Sequence, residues 1–203
     1  IMKMKKAALI TGILGAVIIG SSITITQQNE YKLIRQFGKV DRVICEPGIS
    51  FKIPLIERTQ SLPKETLLYD LEASDVITKD KKTMISDSYV LWRITDPLKF
   101  AQTLNSSLEN SESRINTAVY NATKNVISSL SQDRVITSRD GELSDMVMEA
   151  IGDNMEQYGI ELIKFETKQL DLPDDNKAAV YERMISERDN IAATYKAEGD
   201  SEA

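Results

Sequence analysis

The chain has 203 residues, 41% apolar and 28% charged, a balance that excludes collagen-like, low-complexity and disulfide-stapled classes. Its 31 Asp+Glu outnumber its 25 Lys+Arg for a net charge of −6, the reverse of what a binder of duplex nucleic acid shows. Histidine is absent and Cys45 is the one cysteine, which removes internal disulfides, the Ser-His-Asp triad, the Cys-His dyad and nearly every zinc site.

Lys3, Lys5 and Lys6 precede a stretch from Ala7 to Asn29 without a charge. Its core, residues 7–25, would rise about 29 Å as a helix, close to the thickness of the hydrocarbon layer. It reads as a transmembrane anchor, with Leu9, Ile10, Ile13, Leu14, Val17, Ile18 and Ile19 as its apolar body. The flanking lysines place residues 1–6 in the cytoplasm and the bulk on the far side of the cell membrane, in a periplasm or on the outer face. A cleaved signal peptide is the alternative. The run is longer than the usual about 7–15 residues of such a peptide, and its small-residue cluster, Gly20-Ser21-Ser22, lies inside it.

Short strands are predicted next. Tyr31–Phe37 alternates until Gly38 breaks it, and the Pro47-Gly48 turn introduces Ile49–Pro54, where Pro54 argues for an edge or a strand end. Thr66–Leu71 and Val76–Thr78 are further strands, followed by a turn at Lys79-Asp80-Lys81-Lys82. Met84–Ile94 reads as a longer strand with Tyr89 and Leu91 on one face and Val90 and Trp92 on the other, so a helix is expected to pack on this sheet.

Helices follow. Asp96-Pro97 opens a short one to Leu104. Over 109–130, Ile115, Val119, Ala122, Val126 and Leu130 form one stripe. Thr137 and Asp140 fit a capping box ahead of a helical face made by Leu143, Val147, Ile151, Met155 and Tyr158, which Gly159 stops. In 160–170 the period drops to two, with Ile163, Phe165 and Thr167 on one side and Lys164, Glu166 and Lys168 on the other. Leu172-Pro173-Asp174-Asp175 opens a last helix that meets no breaker until Gly199. It reads as the start of an extended, coiled-coil-like arm, truncated at Ala203. Tyr181, Arg183, Met184, Glu187, Arg188, Ile191 and Tyr195 are its candidate oligomer contacts.

One apolar run has two readings. Phe51, Ile53, Leu55 and Ile56, interrupted by Lys52 and Pro54, fit a buried core; they also fit a membrane-interface loop in which Lys52 meets headgroup phosphates. Enzyme motifs are poor. Ser61-Leu62-Pro63-Lys64 fits S-x-x-K and admits a secreted Ser/Lys hydrolase, but Pro63 and the strand-like surroundings deny it the helix that motif needs. Asp171, Asp174 and Asp175 lack the glycine and distal glutamate of a Ca²⁺ loop, and Cys45 has no activating base beside it. No catalytic, cofactor-binding or metal-binding residues are assigned, and neither an enzyme nor a cofactor is expected.

The order of motifs carries a resemblance. A single N-terminal anchor, Gln36-Phe37-Gly38-Lys39-Val40, Glu46-Pro47-Gly48 with Phe51-Lys52-Ile53-Pro54, Thr78–Lys82, and Tyr89–Ile94 with Asp96-Pro97 together resemble the SPFH (band 7, prohibitin-homology) family. Gly159-Ile160-Glu161, Asp171-Leu172-Pro173, Arg183-Met184, Glu187-Arg188 and Ala197-Glu198-Gly199 are similar to its HflC branch. The resemblance implies an α+β fold: an SPFH domain over 27–172 with a mixed sheet and packed helices, then the start of a long charged helix over 173–203. It also implies a membrane-anchored scaffold in large hetero-oligomers with an HflK-type partner, controlling substrate access to the membrane AAA+ protease FtsH. The alternative is a stomatin- or prohibitin-like organiser of membrane microdomains with no protease partner.

Overall fold

The computed structural model describes residues 2–138 and 141–172, together with Glu182, Ile185, Ser186 and 188–194; side chains are described from Leu9 onward. The chain opens with helix α1 (Met2–Ser21), which stops where the hydroxyls of Ser21 and Ser22 donate to the Ile18 carbonyl, at 3.0 and 2.7 Å. The expected helix over 7–25 is therefore corrected at its C-terminal end. Ile23–Thr26 forms strand β1, because β-branched residues in strict alternation favour a strand and the two serines compete for the last helical carbonyl. Among the described residues no helix is long and apolar enough to cross a membrane.

Two small antiparallel sheets follow. β1 pairs with β4 (Gly48–Phe51), and β2 (Glu30–Gln36) is the centre of a sheet ordered β3-β2-β5, with β3 Lys39–Ile44 and β5 Glu57–Pro63. The sequence reading missed β3 and β5, which bury almost no apolar side chain and so carry no hydrophobic period. Phe37 and Gly38 form the β2–β3 turn, both at positive φ (51° and 84°), as a tight hairpin with the right-handed twist demands.

The larger sheet is built on β8 (Thr83–Ile94). β6 (Leu67–Asp70) and β7 (Ser74–Ile77) pair with successive parts of one edge, and β9 (Ile160–Asp171) covers the other, all antiparallel, so the expected mixed sheet is corrected to antiparallel pairing throughout the described residues. Every second residue of β8 from Met84 to Ile94 is buried, while Tyr89 and Leu91 on the opposite face are half-covered. In β9 the predicted facing is corrected: two register shifts opposite Asp87/Ser88 and Leu91/Trp92 reset the alternation. Phe165 is buried, whereas Ile163, expected beside it, falls in the irregularity opposite Leu91/Trp92 and is exposed.

Helices α2 (Pro97–Leu104), α3 (Leu108–Ser129), α4 (Gln132–Thr137) and α5 (Glu142–Ile151) complete the domain. Asp96 caps α2 by accepting from the amides of Leu98 (3.1 Å) and Lys99 (3.0 Å), with Pro97 at the first helical position. The expected cap at Thr137 is not made: Thr137 ends α4, its hydroxyl donating to the Arg134 carbonyl, and Gly141 precedes α5 without a side-chain cap. Asp140 lies outside the described residues. The face from Leu143 to Tyr158 is likewise two elements, because Gly152 at φ 53° ends α5 and a 3-10 turn (Glu156–Tyr158) follows.

The main core joins Val90, Trp92, Ile94, Ile160 and Phe165 of the sheet to Phe100, Ile115, Val119, Val147 and Ile151 of the helices. A second cluster gathers Val76, Met84, Ile127, Val135, Leu143 and Leu170. The predicted α3 stripe holds at Ile115, Val119 and Ala122; beyond it Ile127 is buried and Val126 only partly so, since a 3.6-residue period drifts from a strict 4-3-4 count. Gly159 locks α2 to the start of β9. Its carbonyl accepts from the amides of Thr95 and Asp96, and a Cβ there would stand 2.2 Å from the Asp96 carbonyl oxygen.

Candidate functional site

The site-bearing region is an apolar foot beneath α1. In β1 the alternation is inverted: Thr24 and Thr26 are buried, while Ile23 and Ile25 face outward. The antiparallel register places Ile23 opposite Phe51 and Ile25 opposite Ile49, so four large apolar side chains share one uncovered face. The chain continues through Ile53, Leu55 and Ile56, all exposed, with Leu55 fully so. The core reading of Phe51–Ile56 is thereby overturned, because among the described residues no second layer packs on β4, and Leu55 stands at the tip of a turn with φ 73°. Lys52 is half-buried and its amide donates to the Ser22 carbonyl at 2.7 Å, tying the loop to the end of α1.

A buried carboxylate shapes that loop. Glu57 accepts from the Ile53 amide at 2.8 Å and from Arg42 at 3.4 Å, and Arg42 also donates to the Phe51 carbonyl. The result is a clasp that fixes the turn bearing Leu55. Alongside it, Phe37 at the β2–β3 turn, 85% exposed, faces Leu55 and Ile56 across a cleft of about 360 Å³ that Arg35 and Arg58 also line.

Among the described residues nothing covers α1 either. Leu9, Ile10, Ile13, Leu14, Val17, Ile18 and Ile19 are 46–67% exposed. Helix and foot form one uncovered apolar surface. The sequence pointed to α1 and to Phe51–Ile56. It placed Ile23 and Ile25 in the anchor helix rather than on a strand, although their Ile-Thr-Ile-Thr alternation signalled one, and it missed Phe37 and Ile49 as exposed apolar residues.

Elsewhere the chemistry is structural. Ser61 lies in β5 and its hydroxyl accepts from Lys32 at 2.8 Å, whereas Lys64 donates to the Cys45 carbonyl at 3.1 Å, so the S-x-x-K pair is not brought together. Lys32 is also engaged by Glu30 at 2.8 Å; the hydrogen bonds from Lys32 and from the Gln27 amide hold the Glu30 carboxyl down to about 2. Asp80 accepts from the Thr78 hydroxyl (2.6 Å) and the Gln132 amide (3.1 Å), which keeps its carboxyl below the usual range and ties the β7–β8 turn to α4. On the outer face of the large sheet Lys168 bridges Asp70 (2.5 Å) and Asp87 (2.8 Å), and these bonds hold its ammonium above the ordinary lysine value.

Cys45 is exposed, and among the described residues no cluster suited to a metal ion forms. Of the predicted oligomer contacts, Arg188 and Ile191 are helical and exposed. Tyr181, Arg183, Met184, Glu187 and Tyr195 lie outside the described residues, as do Pro173, Asp174 and Asp175 of the predicted helix start.

Residues 24–201 match the profile of the SPFH domain / Band 7 family. The chain is 29% identical over 198 residues to Protein HflC of Haemophilus influenzae, covering 93% of this chain and 67% of that protein. It is 28% identical over 207 residues to Protein HflC of Buchnera aphidicola subsp. Schizaphis graminum, covering 92% and 67%. It is 25% identical over 246 residues to Modulator of FtsH protease HflC of Escherichia coli strain K12, covering 98% and 74%.

Proposed function

The chain belongs to the SPFH domain / Band 7 family, and from that membership we propose that it is a membrane-anchored scaffold that regulates an FtsH-type AAA+ protease. In this reading it assembles with an HflK-type SPFH partner into a large hetero-oligomer and controls substrate access to the protease; it is not an enzyme. The observation that carries the reading is the similarity to the Escherichia coli modulator of FtsH protease across 98% of this chain.

The membrane attachment is argued from surface chemistry. Residues 7–21 of α1 rise about 22 Å, short of the about 30 Å hydrocarbon layer. A short apolar helix draws its flanking surface toward the bilayer, and the Ile23/Ile25/Ile49/Phe51 face with Ile53 and Leu55 is the surface available at its end. Lysines 3, 5 and 6 stay on the cytoplasmic side and residues 27–172 stand on the opposite face of the membrane. Residues from 173 onward serve as the contact arm, with Arg188 and Ile191 on offer along it.

The test is affinity capture of the full chain from its own membranes in mild detergent, sized by native electrophoresis and identified by mass spectrometry. A particle far larger than 22.8 kDa that contains an HflK-type protein and an FtsH-type protease is expected. A large particle without a protease would replace this reading with the microdomain organiser, and a free monomer would leave the family fold without the role.

A further inference from the structure

We propose that the cleft between the β2–β3 turn and the 54–56 loop binds the phosphate of an anionic phospholipid headgroup. The inference deepens the membrane-seating reading above and rests on it. Arg35 and Arg58 are direct cross-strand partners in β2 and β5 and both line the cleft. Two like charges placed opposite each other on neighbouring strands repel, and an anion between them turns that repulsion into a bridge.

Neither guanidinium is satisfied by the protein. Arg35 donates through Nη2 to the Ser106 hydroxyl at 3.0 Å, but its Nε is buried with no acceptor among the described residues. The exposed Arg58 has no acceptor for its side chain among the described residues. The neighbouring carboxylate does not compete: Glu57 points to the other face of β5, where Ile53 and Arg42 occupy it. Asp41 belongs to the far flank of Phe37, beside Lys39.

The rim makes the anion a lipid's. Phe37, Leu55 and Ile56 line the same cleft, and the loop that carries Leu55 and Ile56 is bonded through Lys52 to the end of α1. Apolar side chains at a bilayer surface descend among the acyl chains, which sets cations beside them at phosphate depth. Five cations, Arg35, Lys39, Arg42, Lys52 and Arg58, fall in 35–58 against Asp41, Glu46 and Glu57, in a chain that is otherwise acidic.

The site is tested with the full chain in dodecyl maltoside, titrated with phosphatidylglycerol or phosphatidylcholine of identical acyl chains and read by native mass spectrometry. Wild type should retain phosphatidylglycerol about fivefold more strongly, with the margin shrinking at high salt. Arg58→Gln should abolish that preference and leave phosphatidylcholine retention and Trp92 fluorescence unchanged. Equal retention of the two lipids by wild type, or an unaltered preference in Arg58→Gln, overturns the inference. Displacement of phosphatidylglycerol by equimolar inorganic phosphate also overturns it, by making the cleft a free-phosphate site. The parent reading has its own readout. An NBD fluorophore at position 55 in a Cys45→Ser, Leu55→Cys chain should shift to the blue in phosphatidylcholine nanodiscs. No shift fails the seating of the foot, whereas a shift without headgroup preference fails this inference alone.

Discussion

Two phenylalanines in two strands behave in opposite ways. Phe165 in β9 is fully buried between the β8 sheet and the helices, while Phe51 in β4 is 68% exposed on the face it shares with Ile23, Ile25 and Ile49. Both strands contain apolar residues at alternate positions; they differ in whether another layer of protein arrives on the apolar face. Over β8 and β9 it does, because α5 packs on β9 and the α3 side chains Ile115 and Val119 join the same core. Over β1 and β4 the threonines turn inward and the apolar side faces out beside α1. An alternating pattern specifies that a strand has two faces, and the solvent of each face is set by what else the chain brings to it.

This contrast can be broken by substitution, with the buried tryptophan, the only one in the chain, as a fluorescence probe of unfolding. The largest effect is expected for Phe165→Ala, which should destabilise the detergent-solubilised full chain by about 3–5 kcal/mol in denaturant titration. A loss under about 1 kcal/mol would mean that the β9 face is not core. Gly159→Ala should cost about 2–3 kcal/mol, since the added Cβ meets the Asp96 carbonyl and the residue sits at φ 70°. Trp92 fluorescence unfolding with an unshifted midpoint would show that the α2–β9 junction has slack. The smallest effect is expected for Phe51→Ala, within about 0.5 kcal/mol in detergent. A cost approaching that of Phe165→Ala would place Phe51 in a core and remove the foot.

Much of the domain was legible in advance. The long strand at 84–94, the Asp96-Pro97 start, the first half of the α3 stripe and the Gly159 stop each follow from a local rule that tertiary packing did not override. The misses share a cause. β3 and β5 bury little and show no period, the bulges of β9 depend on its partner β8, and the α5 break at Gly152 replaced a helical face that continues in the sequence but not in the backbone. Of the candidate site, the sequence marked Phe51, Ile53 and Leu55 but left their environment open. It could not mark the Glu57–Arg42 clasp or the Arg35–Arg58 pair, whose members are 15 and 23 positions apart and meet only through strand pairing.

By itself the sequence determined the chain's class: an apolar, lysine-preceded N-terminal helix, an α+β domain, and motifs whose order belongs to one family. These rest on composition, period and turn chemistry, which act over a few residues. Only the tertiary structure decided that β1 pairs with β4, that this sheet turns its isoleucines outward, and that two arginines face each other beside an uncovered apolar rim. Those outcomes depend on register and on which layer covers which face, and both are settled by contacts between residues far apart in the chain.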